Sequence, residues 1–310
     1  MSDRTFPSFL SRRALLKAGA CLATSSLLPL GGAWAKEAPL KKTGAGENYV
    51  RYALGDLTIL ALRDGYVDMP PSRLRQPGNQ PFGEVPPQVD LVEGKLRLSV
   101  NAYLIIDGDR HILIDTGAGN AWDPTMGLLP RALAEAGIDP GQIDTVALTH
   151  THLDHFAGLV ANDGSDAFPA MQQLLVPIQE IPHFKGSARM KNLHARAQGF
   201  EDGHAVSERV TAVHAPGHEV GHSGFMVQGV DARLLIWGDI VHVPSLQFDF
   251  PAVTWELDGD QDQARATRRR IFALAAAPDT YVAGAHLDFP GVGKVMKSGG
   301  SFRYLDFDSL

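Results

Sequence analysis

The chain alternates short apolar runs with polar turns, at a spacing that predicts many strands and few helices. Tyr52-Ala53-Leu54, a Gly55-Asp56 turn and Leu57 to Leu62 read as a strand pair. Val100 to Ile106 and His111 to Asp115 flank Asp107-Gly108-Asp109, a hairpin signal. Further strands are expected at Ile143 to Thr149, Leu174 to Val176, Val210 to Val213, Gly224 to Val227, Leu234 to Trp237 and Tyr281 to Ala283. Pro130 opens a short helix that Gly137 closes. The best helix runs from Asp260 to Ala277. Ala264, Thr267, Ile271, Leu274 and Ala275 share one side, with Arg265, Arg268, Arg269 and Arg270 mostly off it. Strands and helices mix without strict alternation, which implies mixed rather than purely parallel sheets.

Two segments depart from this pattern. Ser11-Arg12-Arg13 precedes a weakly apolar run from Ala18 to Leu30, and Ala33-Trp34-Ala35 supplies a small-x-small cleavage site. Residues 1–35 therefore read as an export signal of twin-arginine type, with Lys36 as the mature N-terminus in the periplasm or outside the cell. The run is shorter than the ~20 apolar residues of a spanning helix and is broken by Gly19, Pro29 and Gly31. No stable membrane association is expected once it is removed. Residues 36–48 read as a flexible lead-in, leaving 49–310 as one domain. Residues 68–95 hold six prolines, a long loop placed as a possible lid over a site.

Composition sharpens the class. At 310 residues, with 44% hydrophobic and 20% charged positions, the chain is an ordinary globular one. Without residues 1–35, 24 basic and 34 acidic residues remain, a net charge of −10, which argues against a nucleic-acid partner and for a small-molecule substrate. The single cysteine, Cys21, falls in the signal, so no cysteine metal site is expected in the mature chain.

The chemistry concentrates in the 12 histidines. Thr149-His150-Thr151-His152-Leu153-Asp154-His155 follows the Val146-Ala147-Leu148 strand directly. Three imidazoles and a carboxylate in six residues is a metal-ligand density. Gly217-His218, Gly238-Asp239 and the later His286 each follow another apolar strand, with a small residue that lets the backbone approach a crowded site. His222 is expected to orient a ligand and not to be one, and Glu219 carries no assigned role.

This His-x-His-x-Asp-His, Gly-His, Gly-Asp and late His series resembles the metallo-β-lactamase superfamily of hydrolases. Within it the chain resembles methyl parathion hydrolase and related lactonases and arylesterases. That likeness rests on Gly238 to Val243, Gln247 to Asp249, Leu257-Asp258, Ala285 to Gly291 and Phe302 to Tyr304. The resemblance implies an α+β fold: a four-layer αβ/βα sandwich of two mixed β-sheets, with the site at one edge. It implies two divalent metal ions, zinc first and manganese, iron or cobalt next. His150, His152 and His218 would hold one, Asp154, His155 and His286 the other, with Asp239 bridging. A water activated between them would attack a lactone or aryl ester carbonyl, or a phosphotriester. Asp154 and Asp239 would accept its proton, and His242, three residues after the bridging Asp239, would meet the substrate oxygen or leaving group. Trp122, Phe248, Phe250 and Phe289 are the candidate apolar pocket. The close relatives also suggest a homodimer.

Overall fold

The computed structural model describes residues 39–82 and 84–310. The signal placed at residues 1–35 lies outside the described residues. An eight-stranded sheet runs in chain order through Leu40–Ala45, Tyr49–Leu54, Leu57–Met69, Leu96–Asp107, Arg110–Ile114, Thr145–Ala147, Gln173–Pro177 and Ala197–Phe200. Its first five strands pair antiparallel and its last three join in parallel. A six-stranded sheet follows through Val210–His214, Ser223–Gln228, Arg233–Ile236, Thr280–Ala283, Val292–Ser298 and Ser301–Asp306. Only its Arg233–Ile236 and Thr280–Ala283 pair is parallel. Both sheets are mixed.

Strand alternation builds the layers, since successive side chains point to opposite faces. Tyr52, Ile59, Tyr103, Ile105 and Ile114 of the first sheet meet Phe225, Val227, Leu234, Ile236 and Ala283 of the second in a core between the sheets. Their strand neighbours Leu60, Leu104 and Leu113 face outward, covered by Leu129 and Leu133 of helix Leu129–Glu135 and by Phe156 and Phe184. On the far side, Leu235, Trp237 and Val282 pack under Ile271, Phe272 and Ala275 of helix Gln261–Ala275, which Asp260 caps by accepting from Gln263 N. Helix, sheet, sheet, helix is the four-layer α+β sandwich.

Three expectations change. The lead-in is, from Leu40 on, an edge strand pairing with Tyr49–Leu54 through a bulge between Lys42 and Gly44. Polar residues face solvent, while Leu40 is fully buried in the inter-sheet core, and that one anchor holds the strand. Residues 68–95 are built into the fold: Leu74–Arg75 pairs with Thr254–Trp255, and Leu74 and Val89 pack with Val243, Leu246 and Trp255. Arg268 is buried, not off the packed side of its helix. Its guanidinium donates to Ile240 O at 2.6 Å, Pro251 O at 3.1 Å and Val253 O at 2.5 Å, and lies 3.8 Å from Asp258. Three carbonyls and a carboxylate make that burial tolerable.

Leu40→Ala is expected to lower the unfolding free energy by about 2–5 kcal/mol, the cost of a cavity in the core. Urea unfolding of the two proteins measures it. A loss below about 0.5 kcal/mol, the range of exposed sites, would mean that the strand is not held.

Candidate metal centre

Four strand ends deliver the site to one edge of the sandwich. Thr145–Ala147 runs into His150, Val210–His214 into His218, Arg233–Ile236 into Asp239 and Thr280–Ala283 into His286. Ser223 N donates to Thr149 O at 2.9 Å, stitching the two sheets together at that edge. Gly238 has a φ of +56°, and a Cβ there would stand 2.6 Å from His222 Nε2. Only glycine turns the chain so tightly before Asp239.

Asp239 is the centre of the arrangement. Its Oδ2 lies 3.1 Å from His286 Nε2, 3.2 Å from His218 Nε2, 3.3 Å from His242 Nε2 and 3.8 Å from His150 Nε2. Its Oδ1 lies 3.2 Å from His155 Nε2. Asp154 Oδ2 is 3.6 Å from both His155 Nε2 and His286 Nε2. The ligand atoms form two groups, His150, His152, His218 and Asp239 in one and Asp154, His155 and His286 in the other, each within 4.8 Å. The structure thus brings together all seven residues proposed as ligands.

The outer nitrogen of each histidine is tied, and the tie decides which nitrogen faces inward. His155 Nδ1 donates to Asp115 Oδ2 at 2.8 Å, His218 Nδ1 to Asp258 Oδ1 at 2.9 Å and His286 Nδ1 to Ser99 O at 2.7 Å. Thr149 Oγ1 gives its proton to Asp115 Oδ2, so at 3.1 Å it accepts from His150 Nδ1. His152 is reversed: its Nε2 donates to Glu219 Oε1 at 2.9 Å. A neutral ring has one N–H, so in the neutral form that binds metal Nε2 of four rings and Nδ1 of His152 would present lone pairs to the centre. His152 Nδ1 and His218 Nε2 stand 3.1 Å apart, close enough to share one proton or one cation. His150 Nε2, His155 Nε2 and Asp239 Oδ1 are buried with no hydrogen-bond partner. Inward lone pairs and unpartnered buried acceptors fit divalent cations.

His222 belongs to the support. Its Nδ1 donates to Ala215 O and its Nε2 accepts from Asp239 N, both at 2.9 Å, and burial pushes it down to about 3. His242 stacks between Trp255, at 5.3 Å, and His286, at 5.2 Å, with its backbone N–H donating to Gln247 Oε1 and its ring Nδ1 unpartnered. Burial outweighs the nearby Asp239 and takes it down to about 4. Burial also lowers His218, but hydrogen bonding and charge from Asp239 and then Asp258 win, and it rises to about 10. Burial would raise Asp239, yet His155, His286 and His150 hold it well below the usual carboxylate range.

The aromatic pocket does not form. Phe248 is buried in the outer core, stacked on Phe272 and Tyr304, and Phe289 packs against the inter-sheet core. Trp122 and Phe250 are 42% and 49% exposed. Phe250 lines a separate cavity of about 720 Å³ with Phe82, Leu246 and Phe302. The aromatic beside the chemistry is Trp255. Asp115, Asp258 and Glu219 are the supports that sequence reasoning missed. Asp115 carried a signal in its Asp-Thr-Gly strand end, and Glu219 in its place beside His218. Asp258, 40 residues from its histidine, carried none as a support.

Residues 96–286 match the Metallo-beta-lactamase superfamily, and the chain belongs to it. It is similar to the crystal structure of the hydrolase AbOPH of the beta lactamase superfamily, with 27% identity, a TM-score of 0.75, and coverage of 85% of this chain and 99% of that one. It shares its fold with AidC, a dizinc quorum-quenching lactonase, at 20% identity, a TM-score of 0.72, and 84% and 97% coverage. An atrochrysone carboxyl ACP thioesterase of Aspergillus fumigatus is 30% identical over 155 residues, 48% of this chain and 42% of that protein. The chain spans less than half the length of the curated relatives it matches. The superfamily is one of metal-dependent hydrolases, and its metals are divalent, typically zinc.

The depressed His242 has a stability consequence. A histidine held neutral by the fold stabilises fully above its unfolded value, about 6.5, and less as pH falls towards about 4. His242→Leu removes that contribution. Relative to His242→Leu, the wild-type thermal midpoint should drop between pH 6.5 and 4. Parallel pH profiles for the two proteins would contradict it.

Proposed function

We propose that this chain is an exported dinuclear metal-dependent hydrolase of lactones or aryl esters. The observation that carries it is the set of ring nitrogens turned inward on Asp239, above all the 3.1 Å approach of His152 Nδ1 to His218 Nε2. His150, His152 and His218 would hold one ion, Asp154, His155 and His286 the other, with Asp239 between them. When bound, the two ions would lower the pKa of water at the site and polarise the substrate oxygen. Asp154 and Asp239 can take a proton from the attacking water. His242 Nε2 faces the ligand cluster, 3.3 Å from Asp239 Oδ2. A neutral imidazole there can donate one hydrogen bond to the substrate oxygen or the departing group. Trp255 and His286 stack on it and fix its plane. Among the ligands only His152 keeps substantial exposure, 29% against 6% or less, so substrate enters on the His152 and Glu219 side.

The acyl centre is favoured over the phosphoryl centre of methyl parathion hydrolase-like triesterases. Lactonases among the structural relatives and thioesterases among the curated ones all have names that denote cleavage at an acyl carbon. A polar His242 beside the Asp239 carboxylate suits a carbonyl that gains charge.

The test is kcat/KM on a lactone, an aryl ester, a thioester and a phosphotriester with the zinc-loaded enzyme. Chelation, His152→Ala and Asp239→Ala should each abolish turnover. His242→Leu should cut lactonase activity about 100-fold, the scale of a lost acid–base group, and triesterase activity far less. A zinc-loaded protein inert on all four substrates would overturn the reading. Equal losses in the two reactions would remove His242 from it.

Export rests on the Arg12-Arg13 and Ala33-Trp34-Ala35 signals. The periplasmic fraction should yield a protein that begins at Lys36, and replacing Arg12 and Arg13 by lysine should keep the full chain in the cytoplasm. Full-length chain in the periplasm would defeat the proposed cleavage.

A further inference from the structure

Glu180 lies outside the ligand cluster, yet it is buried, at the end of the short turn Ile178–Glu180 that follows strand Gln173–Pro177. Each of its carboxylate oxygens takes a hydrogen bond from a different ligand-bearing loop. Thr151 Oγ1, between His150 and His152, donates to Oε2 at 2.7 Å. Gly221 N, in the loop that carries His218, Glu219 and His222, donates to Oε1 at 3.0 Å. The Thr151 hydroxyl is also 2.7 Å from His183 Nδ1. Its single proton goes to Glu180, so His183 Nδ1–H is the donor in that second bond. Gly221 is held against the same group: a Cβ there would stand 2.7 Å from Glu180 Cγ and 2.8 Å from Oε1. A side chain at this position would push Glu180 out of place.

The two loops clamped in this way are those whose histidines face each other, His152 Nδ1 against His218 Nε2. The direct bridge between them near those rings, His152 to Glu219, is part-exposed and open to solvent competition. Glu180 ties the same loops from the buried side. We propose that Glu180 is a positioning residue of the metal centre: its carboxylate sets the spacing of the His150–His152 loop against the His218–Glu219 loop. The assignment rests on reading those histidines as metal ligands.

The experiment is zinc affinity by competition with a chromophoric chelator, together with the visible spectrum of the cobalt-loaded protein, on the full mature chain. Glu180→Ala removes both bonds and should weaken zinc binding about 10- to 100-fold, the usual loss for a group that orients ligands, with an altered cobalt spectrum. Glu180→Gln should stay close to wild type, because its amide oxygen can accept from Gly221 N while its NH₂ donates to Thr151 Oγ1. Circular dichroism reports whether each variant folds. Where Glu180→Ala does not fold, Thr151→Val and Thr151→Ser decide: valine should weaken zinc binding and serine restore it. A folded Glu180→Ala with wild-type affinity and spectrum would overturn the proposal. So would a Glu180→Gln as weak as alanine, or a Thr151→Val that binds as the wild type does. Failure of the site reading looks different: the wild-type chain itself would take up no zinc, and the assignment of Glu180 would fall with it.

Discussion

The fold has to hold electron-rich groups together in a place that water barely reaches. His152 Nδ1 and His218 Nε2 stand 3.1 Å apart, and four ring nitrogens lie 3.1 to 3.8 Å from one carboxylate oxygen of Asp239. Lone pairs so close repel, and buried acceptors without donors are costly. Protons on some rings relieve part of this: Asp239 and Asp258 overcome burial and raise His218 to about 10, while burial and then the neighbouring His155 push His150 the other way. The rest of the structure answers that repulsion by holding each ring from behind. Asp115 carries His155 and, through Thr149, His150; Asp258 carries His218; the Ser99 carbonyl carries His286. Each tie fixes a tautomer as well as a position.

The sandwich suits this task because its loops emerge from strands that cannot move independently. Asp115 ends one strand, and its carboxylate accepts from Thr149 N, just beyond the next strand of the sheet. Asp239 is reached across the tight turn at Gly238, and its own N–H is held by His222. Arg268, on a helix of the outer layer, reaches Ile240 O beside Asp239 and lies near Asp258 behind His218. Core packing between sheets and helices is thereby carried into the placement of the ligands. A shift in the layers would move the carboxylates that orient the rings.

Much of this was legible in sequence, for a physical reason. Ligands supplied by one strand end must fall within a few residues of each other, so His150, His152, Asp154 and His155 announce themselves. His218, Asp239 and His286 also sit at strand ends, and the strand pattern located those ends. The supports obey no such rule. Asp258 meets His218 across 40 positions and Glu180 meets Gly221 across 41, through contacts that only the packed layers create. Arg268 reads as a solvated arginine on a polar helix face because nothing local reveals three carbonyls converging on it. Leu40 shows the same limit: a single apolar residue in a polar stretch is too little pattern to predict a strand, yet one buried side chain anchors it. The aromatics failed as a pocket because phenylalanines in strands and loops of a sandwich first serve its cores, as Phe248 does.

Residue type therefore does not decide role at this edge; the tied nitrogen does. His218 and His222 lie four positions apart, both buried and both beside Asp239. His218 spends Nδ1 on Asp258 and turns Nε2 inward, so it can ligate. His222 spends both nitrogens, one on Ala215 O and one on Asp239 N, and has nothing left to offer. His242 is the third case. Its backbone is held by Gln247 and its ring plane by Trp255 and His286, but no support binds either ring nitrogen from behind, and Nδ1 has no partner. A ring fixed in plane, with Nε2 3.3 Å from Asp239 Oδ2 and Nδ1 unpartnered, is one whose hydrogen bonding can change during a reaction, as acid–base chemistry demands.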